Sequence, residues 1–116
     1  EAGQAVLVED DHVIDRRLCF EASPGHTPGH ICLNLQGGGK EVAFTGDLVH
    51  HPIQVACPEW NSRFCVDPEL AKDTRYAYLS KCVEKEKLVL AAHFVAPTLG
   101  KIVSHGKDFR FVLVGD

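Results

Sequence analysis

Apolar and polar residues alternate from Ile31 to Leu35, with Ile31, Leu33 and Leu35 separated by Cys32 and Asn34. A period of two is that of a strand with one face against a core. Gly37, Gly38 and Gly39 follow, and Val42, Ala43 and Phe44 resume the apolar run, which predicts a β-hairpin closed at the glycines. Residues 5–8 and 18–22 read as further short strands. Between Pro52 and Val66 the breakers Pro52, Pro58, Asn61 and Ser62 predict irregular chain. Asp67-Pro68-Glu69 is a helix start: Asp67 can cap, Pro68 suits the first helical position and Glu69 the positive end of the dipole. The helix is expected to run to about Glu86, with Ala71, Thr74, Tyr78 and Cys82 on one face and Lys72, Lys81 and Lys85 elsewhere. Residues 88–92 form a continuous apolar run, expected as a strand buried on both faces. Residues 101–104 and 109–114 offer a last pair of strands. Strands interrupted by a helix predict an α/β or α+β arrangement.

Composition changes this picture little. A chain of 116 residues is one domain's worth or less, and 45% hydrophobic with 24% charged residues is ordinary for a globular protein. The net charge of −4 and the lack of any Lys/Arg cluster argue against nucleic acid as a partner. No apolar run approaches the roughly 20 residues that span a bilayer, and no signal peptide is recognisable, so no membrane partner is expected. The five cysteines, Cys19, Cys32, Cys57, Cys65 and Cys82, are odd in number and lack a C-x-x-C pair. They read as mostly buried thiols in a reducing compartment, which predicts the cytoplasm.

Chemistry gathers at the ends of strands. The run Cys19-Phe20-Glu21-Ala22 leads into Ser23-Pro24-Gly25-His26, Val42-Ala43-Phe44 into Thr45-Gly46-Asp47, and Leu88–Ala92 into His93. Each strand thus delivers a metal-capable or acid/base side chain just past its C-terminal end, where layered α/β proteins build their sites. Imidazole with carboxylate suits zinc, iron or manganese better than calcium or magnesium. A lone histidine after a strand is more often a surface residue, and Gly-Asp alone is most often a turn. The stretch Pro24-Gly25-His26-Thr27-Pro28-Gly29-His30 is different, because its prolines and glycines hold the backbone tightly enough to aim a reactive group.

The string Ser23 to His30, then the glycine hairpin, Phe44-Thr45-Gly46-Asp47, a helix and Leu90-Ala91-Ala92-His93 resembles the second half of the metallo-β-lactamase superfamily. The likeness covers nearly the whole chain. It is nearest to the branch with N-acyl-homoserine lactonases, methyl parathion hydrolase and glyoxalase II relatives, and Asp47-Leu48-Val49-His50-His51-Pro52 strengthens it. The resemblance implies an α/β fold, the C-terminal βα half of the family's αββα four-layer sandwich. It makes His26 a ligand of a first metal, Asp47 the bridging carboxylate and His93 a ligand of a second metal. It gives His30 a bracing role outside the ligand set. His50 and His51 are candidate catalytic or pocket residues, and otherwise solvated loop residues.

The family's His-x-His-x-Asp-His motif, due upstream of His26, is not among these residues: the only upstream histidine is His12, in Glu9-Asp10-Asp11-His12. Residues 1–116 therefore read as a partial metallo-β-lactamase-like domain. The resemblance implies hydrolysis of an ester, lactone, thioester or phosphoester of a small-molecule substrate by a metal-bound hydroxide, with a two-metal zinc site in the complete enzyme and iron or manganese as alternatives. The partial chain is expected to be inactive and to form a homo-oligomer through the exposed face of its sheet. The competing reading is a non-catalytic metal-binding or assembly module made by the half-fold.

Overall fold

The computed structural model describes residues 2–115. Seven strands form one sheet in chain order: β1 (Val13–Asp15), β2 (Leu18–Ala22), β3 (Ile31–Gly37), β4 (Lys40–Phe44), β5 (Leu88–Leu90), β6 (Leu99–His105) and β7 (Asp108–Leu113). Neighbours are antiparallel except β4 and β5, which run parallel. That parallel step is crossed by a short helix α1 (Ile53–Ala56) and a long one, α2 (Pro68–Glu84).

The β3–β4 hairpin closes as its glycines predict. Gly37 pairs with Lys40, and Gly38 and Gly39 take φ of 59° and 74°, the left-handed pair a two-residue loop needs. Helix α2 begins as expected, with the Asp67 carboxylate accepting the Leu70 N–H at 3.0 Å. It stops at Glu84, short of the expected Glu86, because Glu86 turns to φ 49° and the Lys87 N–H bonds back to the Cys82 carbonyl at 3.0 Å. On its buried face stand Ala71, Arg75, Tyr78, Leu79 and Cys82. The expected stripe gave Thr74 a place that Arg75 and Leu79 occupy.

Residues 5–8, expected as a strand, form none, and Val6 and Leu7 are 81% and 97% exposed. The edge beside β2 is taken by β1, which the sequence pattern did not reveal. Local geometry decides this: the Asp15 side chain accepts the Arg17 and Leu18 N–H groups at 2.7 and 2.9 Å, folding the chain straight back on itself. The irregular stretch from Pro52 likewise contains α1.

Alternation sorts the sheet into two unlike faces. Cys32, Ala43, Val89, Ile102 and Phe109 are buried with Val55 of α1 and Tyr78, Leu79 and Cys82 of α2 in one core. The register puts Phe20 opposite Leu33, Leu33 opposite Phe44, and Phe44 opposite Leu90, so these side chains share the other face with Leu88 and Val42. No helix of the described residues covers that face, and Leu35 and Phe44 are each 37% exposed on it. The strand at Leu88 is therefore buried on one face only. Val89 enters the core while Leu88 and Leu90 stay half-buried.

Polar residues of β2, β3 and β4, with the lysine just before β5, interrupt the core face beneath α2. Lys87, 1% exposed, contacts Glu41, reaches Asn34 Oδ1 at 2.9 Å and lies 3.6 Å from Glu21. Glu21 also receives Lys81 at 2.6 Å and the Asn34 amide at 2.9 Å, and the Tyr78 hydroxyl donates to Asn34 Oδ1 at 3.1 Å. Burial raises the Glu21 pKa, but the Lys81 hydrogen bond and the Lys87 and Lys81 charges outweigh it and leave the carboxyl below its ordinary value of 4.5.

Two outcomes follow. Lys87→Met should cost about 3–5 kcal/mol in urea unfolding, because it leaves buried carboxylates without their cation, and adding Glu41→Gln should recover part of it. Glu21 stabilises the fold fully above its ordinary, unfolded pKa of 4.5, and that contribution is lost as pH falls through the lower folded value. The stability gap between wild type and Glu21→Gln should accordingly shrink on acidification and stay constant between about pH 6 and 8.

Candidate metal centre

Strands β2, β4 and β5 point the same way, since β2 and β4 flank β3 antiparallel and β5 is parallel to β4. Their C-terminal ends meet at one edge, where the Thr45 N–H donates to the Leu90 carbonyl at 3.1 Å. Past β2 the Pro-Gly-His loop begins, past β4 a single 3-10 turn holds Asp47, and past β5 the chain reaches His93. The convergence of His26, Asp47 and His93 follows from strand direction.

Asp47 is the hub. Its Oδ1 accepts His93 Nε2 at 2.6 Å, while Oδ2 lies 3.4 Å from His26 Nε2. The two carboxylate oxygens thus address two different histidines. The His93 hydrogen bond, partly opposed by burial, and the neighbouring imidazoles hold the Asp47 carboxyl below its usual range.

His50 joins this group and His51 does not. His50 Nε2 lies 4.0 Å from Asp47 Oδ1, and its ring stands 5.0 Å from that of His26 and stacks on that of His93 at 4.9 Å. Burial first, then the His26 and His93 rings, lower the His50 pKa and favour its neutral form. Its Nδ1 is buried without a hydrogen-bond partner among the described residues. Donor atoms of His26, Asp47 and His50 all lie within 4.8 Å of one another. This spacing and the mixed nitrogen and oxygen donors fit a divalent transition metal such as zinc. His51 is exposed, and its Nδ1 accepts the Ile53 N–H at 3.1 Å at the start of α1.

His30 lies one layer out. Its Nε2 accepts the Asp47 backbone N–H at 2.9 Å, and its Nδ1 lies 3.1 Å from the Ser23 carbonyl and 2.8 Å from the Ser23 hydroxyl. Nδ1 therefore carries the proton, and burial lowers the ring's pKa to keep it neutral. Ser23, His30 and Asp47 are one rigid path from the loop to the carboxylate. Gly46 makes room for it: at φ 50°, a Cβ there would stand 2.9 Å from His30 Nε2.

Two residues that sequence reasoning passed over hold these pieces in place. Arg75, 1% exposed, donates from Nε to the Leu48 carbonyl at 2.9 Å and from Nη1 to the Pro58 and Trp60 carbonyls. It thereby ties the turn bearing Asp47 to α2 and to the 57–61 loop. Gln54 accepts the His50 N–H at 2.6 Å and donates to the Trp60 carbonyl at 2.9 Å. A polar side chain at helical spacing with apolar neighbours was the available signal for Arg75. Beside His93, a cavity of about 410 Å³ is lined by His51, Phe94, Val95, Pro97, Phe111 and Leu113 among others.

The family model of the metallo-beta-lactamase superfamily matches residues 1–93, and the chain belongs to that superfamily. Three similar solved structures are AidC, a dizinc quorum-quenching lactonase, the hydrolase AbOPH of the beta-lactamase superfamily, and a probable metal-dependent hydrolase from Staphylococcus aureus. They are 21%, 26% and 16% identical with TM-scores of 0.84, 0.81 and 0.78, over 91%, 88% and 96% of this chain. This chain spans only 36%, 36% and 40% of theirs. The sheet with helices on one face matches part of their fold. A search of curated proteins finds no match.

The loop's placement against α2 is testable. Gly25 has φ 129°, and a Cβ there would lie 2.3 Å from the Ala71 backbone nitrogen. Gly25→Ala should destabilise by at least about 1–3 kcal/mol in urea unfolding, whereas Gly29→Ala, where a Cβ meets nothing within 4 Å, should cost far less.

Proposed function

We propose that this chain carries one side of the two-metal centre of a hydrolase that cleaves an ester, lactone, thioester or phosphoester bond in a small molecule. The ligands are His26 and His93, one to each metal, with Asp47 between them. The observation that carries the reading is the Asp47 carboxylate, whose oxygens face His26 at 3.4 Å and His93 at 2.6 Å. Zinc is the metal proposed, with iron or manganese compatible with the same donors. Bound there, such ions supply an activated water near neutral pH and charge to offset a developing oxyanion.

The chain's own residues have distinct parts. Asp47 spans the two positions, His30 fixes Asp47 through its backbone N–H, and His50 lines the same space as a neutral ring. The apolar cavity beside His93 suits an uncharged substituent of the substrate. Five cysteines without a disulfide suit the cytoplasm.

Within the proposed ligand set each metal would have two protein donors, His26 with Asp47 and His93 with Asp47, and His50 stands beside them as a pocket residue whose donor atom also converges on His26 and Asp47. Catalytic zinc ordinarily has three. Residues 1–116 by themselves therefore bind zinc weakly and turn over no substrate. Calorimetry should give weak zinc uptake that His26→Ala or Asp47→Ala removes. Tight stoichiometric binding by a monomer with turnover of a lactone or ester would overturn the inactive reading, and uptake unchanged in both variants would overturn the site.

The uncovered apolar face favours a second element, association of two copies through Leu33, Leu35, Phe44 and their neighbours. Sedimentation should show a dimer that Phe44→Lys converts to monomer. A monomer at high concentration in the wild type refutes it.

A further inference from the structure

We propose that Cys65 is a positioning residue of this centre, its sulfur holding the His26 ring so that Nε2 faces Asp47. The inference rests on the metal-centre reading. His26 is addressed from both sides of its ring. Nε2 lies 3.4 Å from Asp47 Oδ2, and Nδ1 lies 3.9 Å from Cys65 Sγ, a long contact of the kind sulfur makes. A histidine that gives Nε2 to a metal carries its proton on Nδ1. That N–H ordinarily goes to a carboxylate, a backbone carbonyl or water, which fixes both tautomer and ring orientation. Among the described residues Cys65 Sγ is the partner His26 Nδ1 has.

The backbone delivers the sulfur to this place. The Val66 N–H donates to the His26 carbonyl and the Asp67 N–H to the Gly25 carbonyl, each at 3.0 Å. The Cys65 N–H is itself bonded to Ser62 O at 3.1 Å. The start of α2 is thus laced to the Pro-Gly-His loop residue against residue, and Cys65 falls beside the His26 ring.

Cys65 does not belong among the ligands themselves. The group of converging donors is His26, Asp47 and His50, and the sulfur lies on the far side of the His26 ring from Asp47. It acts on a metal only through His26.

The test compares wild type, Cys65→Ala and Cys65→Ser, each first shown by circular dichroism and urea unfolding to fold alike. Zinc affinity comes from competition with a chromophoric chelator, and the His26 ring nitrogens are followed by NMR with and without zinc. Cys65→Ala should bind zinc about 10–100-fold more weakly, the cost typical of losing such a partner, and Cys65→Ser should restore most of the affinity. In the metal-free protein Cys65→Ala should move the His26 ring signals and leave those of His93 in place. Unchanged affinity with unchanged His26 signals overturns the proposal. A sulfur-to-metal charge-transfer band in the cobalt-loaded wild type that vanishes in Cys65→Ala also overturns it, by making Cys65 a ligand. Should the wild type take up no zinc, the metal-centre reading fails instead, and unmoved His26 signals in metal-free Cys65→Ala would separately refute the Cys65 contact.

Discussion

Arg75 directs its donors at the Leu48, Pro58 and Trp60 carbonyls and at Asn61 Oδ1, and pairs with no carboxylate among the described residues. A buried guanidinium satisfied by main-chain oxygens fixes backbone, where one paired to an acid would fix only another side chain. The turn after β4 cannot move without breaking its bond to the helix, and neither can the 57–61 loop. Asp47 sits in that turn. The same helix presses Ala71 against Gly25, so the loop bearing His26 and the turn bearing Asp47 share one rigid support.

The site edge and the buried polar network around Lys87 solve different problems. At the site edge, imidazoles and a carboxylate stay partly exposed and address one another across a small space. On the core face, Lys87 is sealed among Glu21, Glu41 and Asn34, and its charge is met by carboxylates and an amide. Such a buried network adds little net stability over apolar packing but is costly to break. It joins the residue just before β5 to strands β2, β3 and β4, and through Lys81 and Tyr78 it ties α2 to the same network. The long helix is thereby pinned at its far end by Lys87 and Lys81 and near the site by Arg75.

Several elements are legible in the sequence alone, for local reasons. The β3–β4 hairpin needs two residues of positive φ, and Gly38 and Gly39 supply them. The start of α2 needs a cap and a proline, and Asp67-Pro68 supplies both. The sequence pattern favours a strand at 5–8 over β1 because apolar composition says nothing of which strand edge a segment can reach. The Leu88 strand is buried on one face although its sequence predicts two, because a short apolar run looks the same whether one or both faces are covered.

The sequence by itself determined the order of chemistry: a stiff Pro-Gly-His loop, a Gly-Asp turn and a histidine, each placed after an apolar strand. That information is local, written in residue types and their spacing. Tertiary structure alone decided which side chains meet. Parallel pairing of β4 with β5 brings His93 to Asp47 across the whole length of α2, and the lacing of residues 66–67 to 25–26 sets Cys65 behind His26. His50 enters the cluster and His51 turns away for the same kind of reason. Adjacent residues in one turn point in different directions, and only the packing around them fixes which one faces Asp47.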